Sequence, residues 1–113
     1  MSDCIFCKIA AGEIPCRKAY EDEQVLAFYD IAPAAPVHIV VIPKQHVLES
    51  AREITAADGA LIAHIYEVIA RLARELHLDN GYRVVTNAGE DAGQTVRHLH
   101  FHLLGGGTLG RMA

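Results

Sequence analysis

The sequence lacks the features that mark several large classes of protein. No apolar run approaches the ~20 residues a bilayer-spanning helix needs, so no membrane span is expected. Basic residues are not in excess: 10 Lys and Arg stand against 14 Asp and Glu, giving a net charge of −4 with histidine neutral. Binding a nucleic-acid polymer requires a basic footprint, so no such partner is expected, although one local site can still hold a small nucleotide. Three cysteines, Cys4, Cys7 and Cys16, are too few and too odd in number for a disulfide framework. A reducing, cytoplasmic setting is the expectation. The opening MSDCIFCKIA has no basic stretch leading into a long apolar one, so no secretion signal is expected. Low-complexity tracts, internal repeats and obvious linkers are also missing.

What remains is 113 residues with an apolar share of 51%, enough for one domain, residues 1–113, with a real core. Residues 4–11 read as a short turn or helix stopped by Gly12 and Pro15. Residues 16–20 and 24–29 read as two strands joined by Glu21-Asp22-Glu23. The two prolines of DIAPAAPV predict a loop, and HIVVIP from His38, β-branched and nearly continuous in apolar residues, predicts a central strand. Thr55 to Asp58 resembles a capping box. After it Leu61, Ile62, Ile65, Val68, Ile69, Leu72 and Leu76 recur at helical spacing, to a stop near Leu78 before Asp79-Asn80-Gly81. YRVVTN predicts a strand, AGEDAGQT a glycine-containing loop, and VRHLHFHLL the last strand. The expected class is α+β: a mostly antiparallel five-stranded sheet, one long helix and a short N-terminal helix. A second helical stripe, Ala63, Tyr66, Ala70, Ala73 and His77, reads either as a solvated face of good helix formers or, the favoured reading, as a close contact across a two-fold axis.

The segment HLHFHLL, His98 to Leu104, carries the chemistry. Strand side chains alternate between faces, so His98, His100 and His102 share one face, with Leu99, Phe101 and Leu103 on the other. Burying several imidazoles together costs desolvation unless each is paired. At about 3.3 Å per residue the outer two lie about 13 Å apart. All three therefore cannot share one tetrahedral ion, whose nitrogen bonds are about 2.0–2.1 Å. One or two can. The competing chemistry is nucleophilic and acid–base, in which the middle imidazole attacks and its neighbours orient it.

Asn87, Gly89, Gly93, Gln94 and Thr95 precede the histidines. They supply glycine backbone and side-chain donors suited to an oxyanion, while Glu90 and Asp91 count against a strongly positive cradle. Cys4-x-x-Cys7 is ambiguous between redox and zinc. Redox use prefers a βαβ context, absent here, and structural zinc needs two more ligands.

These segments together resemble the histidine-triad family. HLHFHLL matches its alternating signature, DIAPAAPVHIVVIPKQH resembles its central segment and CIFCKIAAGEIP its N-terminus. LLGGGTLGRM is similar to the tail of bacterial members of the Hint-like branch. The resemblance covers nearly the whole chain. It implies a homodimer that hydrolyses or transfers at the α-phosphorus of a purine nucleotide, often an adenosine phosphoramidate.

Carried over by position, the resemblance makes His100 the nucleophile. His102 contacts phosphate, and His38 completes a tetrad with His98, His100 and His102. Asn87, Gly93, Gln94 and Thr95 hold phosphate oxygens or the leaving group. Asp30 binds ribose. Ile5, Phe6, Ile9, Phe28, Ile31 and Val40 form an apolar base slot. Some bacterial members add a histidine after IPK and the first triad histidine to the two cysteines, which here gives a zinc site of Cys4, Cys7, His46 and His98. Other members of the branch lack the cysteines and bind no metal. Cys16 is read as an ordinary strand residue, and His64 and His77 as structural residues of the helix. Two alternatives to phosphoramidate hydrolysis stay open: cleavage of dinucleoside polyphosphates on the same fold, and a non-catalytic nucleotide-binding regulator.

Overall fold

The computed structural model describes residues 3–111. A short helix α1, Ile5–Ala10, leads into strands β1, Lys18–Glu21, β2, Val25–Tyr29, and β3, Val37–Pro43. Two 3₁₀ turns, Ala51–Glu53 and Ala56–Asp58, precede the long helix α2, Gly59–Glu75. Strand β4, Tyr82–Val85, a 3₁₀ turn at Glu90–Ala92 and strand β5, Phe101–Gly105, complete the fold. The sheet order is β1-β2-β3-β5-β4, and every neighbouring pair is antiparallel. The chain is α+β, as its patterning predicts.

Both faces of the sheet are covered. On one, α2 lays Ile65, Val68, Ile69 and Leu72 against Val25, Ala27, Ile39, Val41, Leu99, Phe101 and Leu103. On the other, Leu26, Phe28, Val40 and Ile42 pack with Ile9 and Phe6 of α1. This explains the apolar run, residues 39–43, that follows His38 in β3: a stretch buried on both sides has no polar face to show. Each Leu or Ile buried this way contributes about 1.5–3 kcal/mol.

The capping box is present, but it starts the 3₁₀ turn rather than α2. The Thr55 N–H donates to Asp58 Oδ2 at 2.9 Å and the Ala57 N–H to Thr55 Oγ1 at 3.3 Å. The helix also ends earlier than expected. His77 lies outside α2 with a left-handed φ of 58°, and the Leu78 N–H reaches back to the Ala73 carbonyl at 2.9 Å. The second stripe is split, with Ala73 in the chain's own core and Ala63 and Tyr66 exposed. His64, by contrast, holds α2 to the β1–β2 turn, its Nε2 lying 2.6 Å from Asp22 Oδ2.

The last strand is the largest departure. Pairing begins only at Phe101, and residues 96–100 lie outside the sheet. The Leu99 N–H bonds to the Leu48 carbonyl instead of a strand neighbour, because the chain here turns toward the segment after β3. Alternation survives without the ladder: Leu99, Phe101 and Leu103 enter the α2-side core while the histidines face α1.

Candidate active site

On the α1 face lies a cleft of about 460 Å³. Ten of the eleven residues assigned to nucleotide binding line it: Ile5, Phe6, Ile9, Phe28, Asp30, Ile31, Val40, Asn87, Gly93 and Thr95. His100 and His102 line it as well. The walls divide into an apolar end around Phe6 and Phe28, whose rings meet edge-on at 5.7 Å, and a polar end with the two imidazoles.

Gln94 is not in the lining. Its Oε1 accepts from the Gly89 N–H at 2.9 Å, and its Nε2 donates to the carbonyls of Glu49 at 2.6 Å and Val96 at 2.9 Å. The side chain is thus spent on closing its own loop, which turns through left-handed Gly89 and Gly93. Glu90 and Asp91 are outside the lining too, and border a separate polar cavity with Arg52 and Arg97. The sequence reading missed Ile14, Pro15, Cys16, Tyr29 and Val96, all of which line the cleft. Cys16 precedes β1 rather than lying in it. Its place directly after the Ile14-Pro15 stop is the only local hint that it borders a cavity.

The hydrogen bonds around the imidazoles determine which nitrogen carries each proton. His100 is only 7% exposed, and its Nδ1 donates to the His98 carbonyl at 2.7 Å, leaving the Nε2 lone pair uncommitted among the described residues. The Ala34 N–H donates to His38 Nδ1 at 3.0 Å, so His38 carries its proton on Nε2. That proton goes to His102 Nδ1 at 2.9 Å, which puts the His102 proton on Nε2. His38 and His102 meet as diagonal cross-strand neighbours, because His102 pairs with Val40 and His38 with Leu104. Asp30 Oδ2 stands 3.6 Å from His38 Nε2, and its Oδ1 is held by the Ala32 N–H at 2.8 Å.

Burial favours the neutral form of these rings. It lowers the pKa of His100 against a smaller opposing effect of the His98 carbonyl. His102 is pushed down to about 4 by burial, then by the nearby His100 and His38, with Asp30 opposing. At neutral pH both rings are uncharged, the state in which imidazole has a lone pair to donate.

His98 stands apart from the other two triad members. It is completely buried and does not line the cleft. Its Nε2 donates to the Pro43 carbonyl at 2.8 Å, which leaves Nδ1 as an acceptor facing Cys4 and Cys7. Both nitrogens face partners outside the cleft.

The donor atoms of Cys4, Cys7, His46 and His98 all lie within 4.8 Å of one another. Cys4 Sγ is 3.3 Å from His98 Nδ1, and Cys7 Sγ is 3.3 Å from His46 Nδ1 and 3.5 Å from His98 Nδ1. Tetrahedral bonds of about 2.3 Å to sulfur and 2.0–2.1 Å to nitrogen put S and N roughly 3.6 Å apart. These four side chains can therefore hold a tetrahedral ion with little movement, and the Pro43 bond already sets the His98 tautomer such a ligand needs.

The family model described as scavenger mRNA decapping enzyme C-term binding matches residues 3–110. An uncharacterized HIT-like protein of Rickettsia prowazekii is 48% identical over 103 residues, covering 90% of this chain and 86% of its own. Among solved structures, a HIT family hydrolase from Clostridium thermocellum superposes with a TM-score of 0.93 at 44% identity, over 99% of this chain and 97% of the other. A histidine triad nucleotide-binding protein from Candida albicans does so with a TM-score of 0.80 at 35% identity, over 98% and 86%. The alternating histidines, the fold that presents them and these likenesses agree: the chain belongs to the histidine-triad family and has the fold of its hydrolases.

Proposed function

We propose that the protein hydrolyses purine nucleoside phosphoramidates at the α-phosphorus, through a nucleotide carried on His100. The observation that carries this reading is the state of His100: nearly buried, neutral, its Nδ1 proton tied to the His98 carbonyl and its ring at the cleft wall. Nucleotide as the ligand is supported by the likeness to the Candida albicans protein.

His100 Nε2 attacks phosphorus as the P–N bond breaks, and the amine departs with the Nε2 proton of His102, which His38 replaces through its own Nε2–H. Water then attacks phosphorus, the P–Nε2 bond breaks, and the water's proton returns to the relay. The products are a nucleoside monophosphate and an amine. Splitting one hard displacement into two is the use of a covalent nucleophile, and the relay meets the need of an amine to leave protonated. Asn87, Gly93 and Thr95 hold phosphate oxygens, Asp30 the ribose hydroxyls, and Ile5, Phe6, Ile9, Phe28, Ile31 and Val40 the base. The test is release of AMP from adenosine 5′-phosphoramidate by the wild type and by His100→Ala. Equal turnover by the two removes the proposal.

The same reading assigns zinc to Cys4, Cys7, His46 and His98, as a structural ion that takes no part in the chemistry. It also makes the protein a homodimer. The exposed Ala63 and Tyr66 on α2 and the exposed Tyr82 on edge strand β4 are surfaces such a partner can cover. Sedimentation equilibrium distinguishes the dimer from a 12.3 kDa monomer. Among the described residues no helix is long and apolar enough to cross a membrane.

A further inference from the structure

Helix α1 has only six residues, too few to persist without external support. Its side chains serve two sites at once. Cys4, its N-cap, and Cys7 reach His98 and His46, while Ile5, Phe6 and Ile9 line the cleft. Residues 98–100 are shared in the same way. His98 belongs to the Cys/His cluster and His100 to the cleft, and the stretch lies outside β5. From α1, Phe6 reaches the second element, edge-on to His98 at 5.9 Å and to His100 at 5.0 Å.

We propose that metal binding at Cys4, Cys7, His46 and His98 and nucleotide binding in the cleft are cooperative, with Phe6 as the positioning residue that couples them. This rests on the nucleotide and metal readings above. The coupling element is α1, either docked on the sheet or released from it. A metal ion joins α1 to His98, so one wall of the base slot is in place before nucleotide arrives. Nucleotide then no longer bears the entropy of ordering that wall. A nucleotide seated against Ile5, Phe6 and Ile9 in turn holds α1 down, and with it two of the four metal donors. Linkage requires the two effects to be equal, and couplings of this kind are roughly 5- to 150-fold.

The test uses the full chain under reducing conditions. AMP affinity is measured by calorimetry with one equivalent of Zn²⁺, after chelation, and after Zn²⁺ is restored. Zn²⁺ affinity is measured by competition with a chromogenic chelator, with and without saturating AMP. The expected result is AMP binding about 5- to 150-fold tighter in the loaded protein, reversed by chelation, and Zn²⁺ held tighter by the same factor when AMP is present. Cys7→Ser should bind AMP like chelated wild type and ignore added Zn²⁺. Phe6→Leu keeps apolar bulk without the ring contacts. It should bind Zn²⁺ like wild type when AMP is absent and show a coupling factor close to one. Identical AMP affinity with and without Zn²⁺ overturns the coupling and leaves the nucleotide site standing. Wild type that fails to compete for Zn²⁺ overturns it at the metal end. Loaded protein that binds no AMP overturns the nucleotide reading as well.

Discussion

The imidazole of His100 donates its Nδ1 proton to the carbonyl of His98 at 2.7 Å, and His98 is itself completely buried between Pro43 and the two cysteines. One triad residue thus orients another through its backbone, while its own ring works on the far side. The histidines that look equivalent in the sequence have three different settings: His98 is bonded to Pro43 away from the cleft, His100 lies at the cleft wall with its Nδ1 proton tied down, and His102 accepts from His38.

The proposed relay makes His38 a partner of His102. Because Ala34 fixes its tautomer, His38→Ala should leave His102 without a defined proton position. Nitrogen-15 NMR should show His102 protonated on Nε2 in the wild type and a mixture of tautomers in the variant. Turnover should fall on the order of 100-fold. An unchanged His102 spectrum would detach His38 from the relay.

A second prediction separates binding from folding. Ile31 lines the cleft yet is fully exposed in the free protein. Ile31→Ala should change stability by no more than about 0.5 kcal/mol, the range of a neutral surface change, while KM for the phosphoramidate rises. Leu103→Ala, in the α2-side core, should cost about 2–5 kcal/mol of stability.

The pH dependence of stability is set partly far from the cleft. The Asp22 carboxylate raises the pKa of His64 above its ordinary 6.5 through a direct bond, against the opposing effect of burial and with smaller help from Glu67. Burial by itself would raise the Asp22 pKa, but the Tyr20 hydroxyl, His64 and the backbone N–H groups of Gln24 and Val25 overcome it and hold the group below its ordinary 3.8. A raised histidine pKa stabilises the fold fully below 6.5, and that stabilisation is lost as pH rises through the folded value. The depressed Asp22 contributes above 3.8 and loses that contribution as pH falls through its own folded value. The stability difference between wild type and His64→Ala should therefore be largest between about pH 4 and 6.5 and shrink on the alkaline side. Urea titrations across pH measure it, and a difference that grows toward alkaline pH would contradict the assignment.

Metal removal should destabilise the fold as well as the site. On the proposed zinc assignment, chelation should remove the ion joining α1 to His98 and lower the melting temperature by roughly 5–15 °C, with Cys7→Ser starting from the lower value. Calorimetric scans with and without Zn²⁺ check it. No change on chelation would deny the cluster a structural role.

Much of this was legible in the residues, and for identifiable reasons. Strand β3 announced itself because a strand covered on both faces is apolar nearly throughout, His38 being the exception. Helix α2 did so because one face of a helix recurs every three or four residues. The alternation at 98–104 survived because side-chain direction depends on local backbone, even where no neighbouring strand pairs with residues 98–100. What could not be read depends on contacts distant in sequence. Gln94 turns inward because Glu49 and Val96 offer it carbonyls. His98 leaves the sheet because Pro43 and the cysteines claim both its nitrogens. Cys16 borders the cleft because α1 packs beside it, which its neighbours in the chain, beyond the Ile14-Pro15 stop, do not reveal. His77 takes the left-handed turn three residues before the Asn80-Gly81 pair that local chemistry favours for it.

The central claim is that His100 briefly carries the nucleotide. Rapid acid quenching of wild type with adenosine 5′-phosphoramidate, followed by peptide mass spectrometry, tests it directly. The account predicts one nucleotidyl increment on the peptide containing His100, absent from His100→Ala, whose turnover should fall by more than about 1,000-fold. The same increment on another residue, or turnover that survives in His100→Ala, would contradict it.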